Sequence, residues 1–245
     1  LNDWFPTLER RAGPKVRLLC LPFAGGGSLA FRGWQEELGD AIEVWAACPP
    51  ARERRLSQPV PETMEAFLDA LEGAAQGVFR GPWAVFGHSF GALVAHALVR
   101  RRLRGGDDAP SLLAVSGSRP PWLEPLPPIL HDLPSEALRE ELRRLGGMPP
   151  QLLDDPELMA LFEPALRGDL KLSETWHLPE LEPLEVPLLV LGGRDDDEAR
   201  PERLAAWDQA ARAGCEQELF PGGHFYVQSA RGALLDRLRR ALLGE

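Results

Sequence analysis

VFGHSFGALVAH, residues 85–96, sets a lone serine, Ser89, two positions from a glycine on either side, Gly87 and Gly91. An apolar run, WAVFGH, leads into it, and ALVAHALVRRRL behind it has the length and pattern of a helix. Small residues at the corners of a strand-to-helix turn let the backbone take a strained path that lifts the middle side chain above the sheet edge. A serine hydroxyl is a poor nucleophile until a base removes its proton and something holds the oxyanion that forms. The reading of Ser89 therefore depends on partners elsewhere in the chain.

Outward from this turn, apolar runs alternate with helical patterns, which predicts an α/β fold: a mostly parallel central sheet flanked by helices. VRLLCLPF (16–23) reads as a buried strand that empties into AGGGS, and IEVWAACPP (42–50) as a strand closed by its prolines. In ETMEAFLDALEGAAQGVF (62–79), Met64, Phe67, Leu68 and Leu71 share one helical face. SLLAVSGS (111–118) is another strand. From Arg119 to about Pro187 the rhythm changes to proline-punctuated helices without a strand. PSEALREELRRLGG should be capped by Ser135 and end on Gly146 and Gly147, and DPELMALFEPALRG should open with Asp155 as cap and Pro156 at its first position. Residues 119–183 are thus expected to form a helical lid inserted in a single domain spanning 1–245. The alternation then resumes with PLLVLGG as strand, PERLAAWDQAARAG as helix, EQELFPGG as strand and ARGALLDRLRRALL as closing helix.

A length of 245 residues suits one such domain, and 44% hydrophobic residues supply an ample core. The net charge of −10 argues against a nucleic-acid or anionic-membrane partner, since phosphate binding needs a surplus of cations. Three widely spaced cysteines, Cys20, Cys48 and Cys215, make neither a disulfide framework nor a metal clip. The start, LNDWFPTLERR, lacks the layout of a signal peptide, and no apolar run approaches the roughly 18 residues of a membrane span. A cytoplasmic monomer is expected.

The partners of Ser89 should follow in the order serine, acid, histidine. Of five histidines, His88 lies inside the turn, His96 in mid-helix, and His131 and His177 in the insertion. His224, in FPGGHFYV, follows the last predicted strand, where a base can reach the top of the sheet. The acid should leave the end of PLLVLGG, where Asp195, Asp196 and Asp197 stand together. Asp196 is the preferred residue and Asp195 its close competitor. Two backbone N–H groups should hold the oxyanion, one from Phe90 and one from the PFAGGGS loop, with Ala24 the expected donor. A dinucleotide-binding loop is excluded, because no glycine follows Gly27 by three.

Together LLCLPFAGGGSLAFRGW, PPARERR, FGHSFGALVAHAL, LGGRDDDEARPERLAAW and FPGGHFYV resemble the type II thioesterases, the stand-alone editing partners of polyketide and nonribosomal peptide synthases in the α/β-hydrolase superfamily. The resemblance covers nearly the whole chain. It implies hydrolysis of acyl or aminoacyl thioesters from the phosphopantetheine arm of acyl or peptidyl carrier proteins, with no cofactor or metal. It assigns the triad to Ser89, Asp196 and His224, and the oxyanion hole to Ala24 and Phe90. Four departures stand out: Ala51 replaces the glycine of the family's PGR, Asp197 replaces a common proline, HFYV replaces HFFL, and Trp176 replaces a tyrosine. The last two are expected to tune the acyl pocket. Trp122, Leu126, Ile129, Leu130, Leu158, Met159 and Phe162 would line it, or pack lid to body, while Arg52, Arg54 and Arg55 are candidates to dock the carrier. The rival readings are a general carboxylesterase, a cyclising thioesterase excised from a synthase (against which the free-standing start weighs), and a catalytically silent binding protein.

Overall fold

The computed structural model describes residues 3–245. Along the chain run β1 (Val16–Leu21), α1 (Trp34–Leu38), β2 (Ile42–Ala46), α2 (Met64–Ala74), β3 (Trp83–His88) and α3 (Phe90–Gly105). They are followed by β4 (Leu113–Ser116), α4 (Ser135–Leu145), α5 (Pro150–Leu153) and α6 (Pro156–Thr175). The chain closes with β5 (Leu188–Gly193), α7 (Pro201–Leu204), β6 (Cys215–Phe220), α8 (Tyr226–Ser229) and α9 (Arg231–Leu243). The strands form one sheet in the order β2-β1-β3-β4-β5-β6, and every neighbouring pair is parallel. The connection after β1 runs through α1 to β2 and the one after β3 runs through α3 to β4, on opposite faces, so a crevice opens between β1 and β3 beyond the carboxyl ends of the strands.

Side chains alternate across the sheet. Leu19, Leu21 and Val85 join the layer of α2 and α3, whereas Leu18, Cys20 and Phe86 join the layer of α1 and α9. Cover on both faces is why β3 reads as an unbroken apolar run, with all its residues buried. At the sheet's edge β6 is polar, and the exposed Glu216 and Gln217 discourage further pairing. Thr63 caps α2 by accepting the Ala66 N–H at 3.1 Å, and Met64, Phe67, Leu68 and Leu71 are buried as the spacing predicts. Each such burial contributes roughly 1.5–3 kcal/mol relative to exposure. Phe90 to Val99 of α3 are all buried, because the helix is enclosed by the sheet, α2 and α6.

Between β4 and β5 the chain makes no strand, only an isolated bridge from Leu184 to Ala211. Here α4, α5 and α6 gather Leu138, Leu142, Leu153, Met159 and Leu166 into a separate small cluster. Ser135 is not the cap of α4. Pro134 holds that position, and the serine hydroxyl, free to point away, donates to Glu163 Oε1 of α6 at 2.6 Å. The expected 201–214 helix is also shorter: after Leu204 the chain tightens into a 3₁₀ turn over Ala205–Ala210. Leu204, Trp207 and Ala210 are buried at a spacing of three, which stacks on one face only in a 3₁₀ helix. No helix among the described residues is long and apolar enough to cross a membrane.

Candidate active site

β3 ends at His88 and α3 begins at Phe90, so Ser89 alone makes the turn. Its φ of 55° and ψ of −118° lie where side-chain-bearing residues are strained. Both flanking glycines are sterically required. A Cβ on Gly87 would stand 2.0 Å from the Gly91 carbonyl oxygen, and one on Gly91 would stand 2.1 Å from that of Leu21. The second collision shows how tightly the start of α3 is set against the end of β1. The Ser89 N–H donates to the Ser116 carbonyl at 2.8 Å, which ties the corner to β4.

The loop after β6 brings His224 to this corner. Its Nε2 lies 3.0 Å from Ser89 Oγ, and its Nδ1 lies 2.9 Å from Asp196 Oδ2. With the carboxylate accepting from Nδ1–H, Nε2 is left free to accept the serine proton. Asp196 is the member of the aspartate run that turns inward, whereas Asp195 and Asp197 are exposed. Its Oδ1 accepts the N–H groups of Glu198 at 2.9 Å and Ala199 at 3.0 Å. Burial alone would raise its pKa, but the bond and charge of His224 and those two amides outweigh it, and the carboxyl is held below its ordinary value.

The other histidines lie apart from this line. His88 points its Nδ1 at Ser116 Oγ, 2.9 Å away, and that oxygen lies 2.6 Å from the Tyr226 hydroxyl. Its ring packs 5.2 Å from that of His224. Burial, and then the nearby His224 charge, push the His88 pKa down to about 3, so it stays a neutral support. His96 is enclosed by Trp122, Trp176 and Trp207, and His131 pairs with Glu174 at 2.5 Å. The Ser116–Tyr226 link has no counterpart in the sequence reading: Ser116 carries no local motif, and Tyr226 is marked there only as a change expected to tune the pocket.

The loop after β1 packs beside the His224 loop, its Phe23 ring 5.0 Å from that of Phe225. Its Gly25 N–H donates to Asp169 Oδ2 at 2.8 Å and its Gly26 N–H to the Phe23 carbonyl at 2.8 Å. Among the described residues the Ala24 N–H has no such acceptor. Phe90 is the first residue of α3, where an amide has no partner inside the helix and the helix dipole favours negative charge.

Comparison with known proteins decides the family. The thioesterase domain matches residues 16–242. The chain belongs to the thioesterase family. The gramicidin S biosynthesis protein GrsT of Aneurinibacillus migulanus is 30% identical over 242 residues, covering 99% of this chain and 94% of its own. RedJ, the thioesterase from the prodiginine biosynthetic pathway in Streptomyces coelicolor, superposes with a TM-score of 0.87 at 34% identity over 98% of both chains. YbtT, a type II thioesterase from the yersiniabactin NRPS/PKS biosynthetic pathway, does so with a TM-score of 0.84 at 30% identity over 96% of both. This thioesterase is therefore a thioester hydrolase with the α/β-hydrolase fold, as the alternating pattern and the motif blocks predict.

A cavity of about 120 Å³ opens between Ser89 and the insertion, and Leu93, Arg119, Leu126, Leu130 and Leu170 help to line it. Of the seven residues expected there, only Leu126 and Leu130 take part. Met159 belongs to the insertion's own cluster, Trp122 packs on His96 and Trp207, and Leu158 is exposed to solvent. The two family departures expected to tune the pocket lie outside it. Trp176 packs on His96, and the fully buried Tyr226 stacks on Phe220. Two of the arginines expected to dock a partner are also internal. Arg52 is 2% and Arg55 6% exposed, and only Arg54 of the three faces solvent. Their guanidinium groups reach backbone carbonyls of their own neighbourhood, Pro50 and Gly26 for Arg52 and Cys48 for Arg55.

Proposed function

We propose that this thioesterase removes short acyl or aminoacyl groups from the phosphopantetheine arm of carrier proteins, as an editing enzyme of polyketide or nonribosomal peptide synthesis in the cytoplasm. The observation that carries the reading is the hydrogen-bonded line from Ser89 Oγ to His224 Nε2 and from His224 Nδ1 to Asp196, at 3.0 and 2.9 Å. The pathways in which GrsT, RedJ and YbtT are named support the choice of partner.

In the acylation step Ser89 Oγ attacks the thioester carbonyl carbon and its proton passes to His224 Nε2. Negative charge collects on the carbonyl oxygen, facing the N–H groups of Ala24 and Phe90. Collapse breaks the carbon–sulfur bond, and the imidazolium returns the proton to the departing thiolate. Water then attacks the acyl-serine with the same histidine as base, releasing a carboxylic acid and restoring the hydroxyl. The net reaction is thioester plus water to acid plus thiol. Throughout, Asp196 stays ionised, fixing the tautomer and stabilising the imidazolium.

The cavity of about 120 Å³ beside Ser89 supports a short acyl group. Comparing specificity constants for propionyl-loaded carrier protein and a matched simple ester tests the reading. A preference of about 100-fold or more for the carrier thioester is expected, whereas equal constants would point to a general esterase.

A further inference from the structure

The mechanism makes no use of Arg52 and Asp169, among the described residues the most deeply buried ion pair outside the Ser89–His224–Asp196 line. Arg52 lies just past β2 and Asp169 on α6, and they are 2% and 0% exposed. The guanidinium grips the carboxylate with two nitrogens, Nη1 to Oδ2 at 2.6 Å and Nη2 to Oδ1 at 3.2 Å. Both residues also hold the loop after β1. Asp169 Oδ2 accepts the Gly25 N–H at 2.8 Å, and Arg52 Nη1 donates to the Gly26 carbonyl at 2.9 Å. One turn before Asp169, Leu166 lies 3.4 Å from where a Gly25 Cβ would be. Farther along, Glu53 accepts from the Ser28 hydroxyl at 2.6 Å and from the Leu29 N–H at 3.1 Å.

A buried ion pair is poor evidence of stabilisation, because well-packed apolar residues of similar volume often serve stability as well or better. What apolar residues cannot do is accept the Gly25 N–H or donate to the Gly26 carbonyl. The Gly26 N–H holds the Phe23 carbonyl at 2.8 Å, and the peptide joining Phe23 to Ala24 is planar, so a clamp on Gly25 and Gly26 also sets the direction of the Ala24 N–H. Gly25 has φ of 74°, so the chain reverses sharply at that point. We infer that Arg52 and Asp169 are positioning residues for the oxyanion hole, aiming the Ala24 N–H at the reacting carbonyl from a clamp that also anchors α6. The inference rests on the proposed role of Ala24. It further means that α6 cannot move away from the body without breaking the pair or dragging the loop, so the place of this helix and the competence of the hole are coupled.

The discriminating variant is the double replacement Arg52→Met with Asp169→Leu, which removes both charges together and leaves neither buried alone. Hydrolysis of propionyl-N-acetylcysteamine should show kcat reduced about 30- to 100-fold, the loss a displaced donor produces. KM should stay within about twofold, and affinity for a trifluoromethyl ketone, which mimics the tetrahedral intermediate, should fall in parallel with kcat. A folded double variant with kcat within about threefold of the parent would overturn the clamp. If the double variant does not fold, Arg52→Lys takes its place. Lysine keeps the buried charge paired but loses the fork, so about a fivefold or greater fall in kcat at unchanged KM is expected, and an unchanged kcat overturns the inference. Ala24→Pro, which deletes the N–H itself, separates the two levels. If it lowers kcat and the clamp variants do not, the hole stands and the clamp falls. If folded Ala24→Pro turns over normally, the assignment of the hole has failed and the clamp with it.

Discussion

The sheet with its two helical layers and the helical insertion between β4 and β5 are built on different terms. In the body, strands buried on both faces place Leu18 and Leu19, Phe86 and Val85 into two large clusters, and the Ser89 turn is locked by carbonyls about 2 Å from where a side chain would be. The insertion has one small cluster of leucines and a methionine, and its first helix, α4, carries its charges in solvent-facing pairs such as Arg143–Glu140 and Arg144–Glu141. Exposed pairs of that kind contribute at most about 1 kcal/mol. Body and insertion thus share one cavity but not one kind of packing. In the proposed mechanism the body holds the chemistry, and the insertion shapes the space above it.

Breaking the body's side of this contrast should have the largest effect. In Asp196→Asn the amide can offer its N–H₂ to Nδ1 and favour the wrong tautomer, so kcat should fall about 10⁴-fold with Leu138 and its neighbours undisturbed. Steady-state kinetics beside amide exchange of the insertion would show both. Breaking the insertion's side calls for Leu138→Ala at a fully buried position. A loss of roughly 2–4 kcal/mol is expected, confined to α4–α6 by hydrogen exchange, while β3 and α3 keep their protection. Equal loss of protection in α3 would contradict the contrast.

Acid sharpens the comparison further. His88 lies within the body, and His96 lies where α3 meets Trp122 and Trp176 of the insertion. Burial lowers both pKa values to about 3, with the His224 charge adding for His88 and Arg100, opposed by Glu182, for His96. The unfolded chain takes up a proton at each imidazole below its ordinary pKa of 6.5, and the folded chain does not until about 3. Protons in that window therefore favour unfolding, by about 1.4 kcal/mol per pH unit for each histidine. Denaturant titrations between pH 7 and pH 4 should show stability falling with acid, and His96→Phe should make the slope shallower. The smallest effect concerns Ala51, whose φ of 66° suits the glycine that the family pattern places there. Ala51→Gly should raise stability by about 1 kcal/mol, measured by chemical denaturation, with kcat unchanged.

How much of this is legible in the sequence follows from the range over which each feature is determined. The Ser89 turn is local, since Gly87 and Gly91 and the flanking apolar runs state it within twelve residues. The meeting of Ser89 with His224 follows from chain order, because parallel strands deliver their following loops to the same end of the sheet. Asp196 over Asp195 follows only from position beyond β5, and the structure shows why: the inward residue is the one whose oxygen meets two backbone amides. Arg52 and Asp169 escape such reasoning. They lie 117 positions apart, and an arginine beside Arg54 and Arg55 looks like part of a solvated run until the fold buries it. Tyr226 and Trp176 mislead in the same way, because a family departure marks a position but not the direction its side chain takes.

The central claim is most directly tested by Ser89→Ala, assayed with an acyl-loaded carrier protein and with a fluorophosphonate label. The account predicts that hydrolysis falls about 10⁶-fold and labelling vanishes while the melting temperature is kept. A folded alanine variant that still hydrolyses the thioester at the parental rate would contradict it.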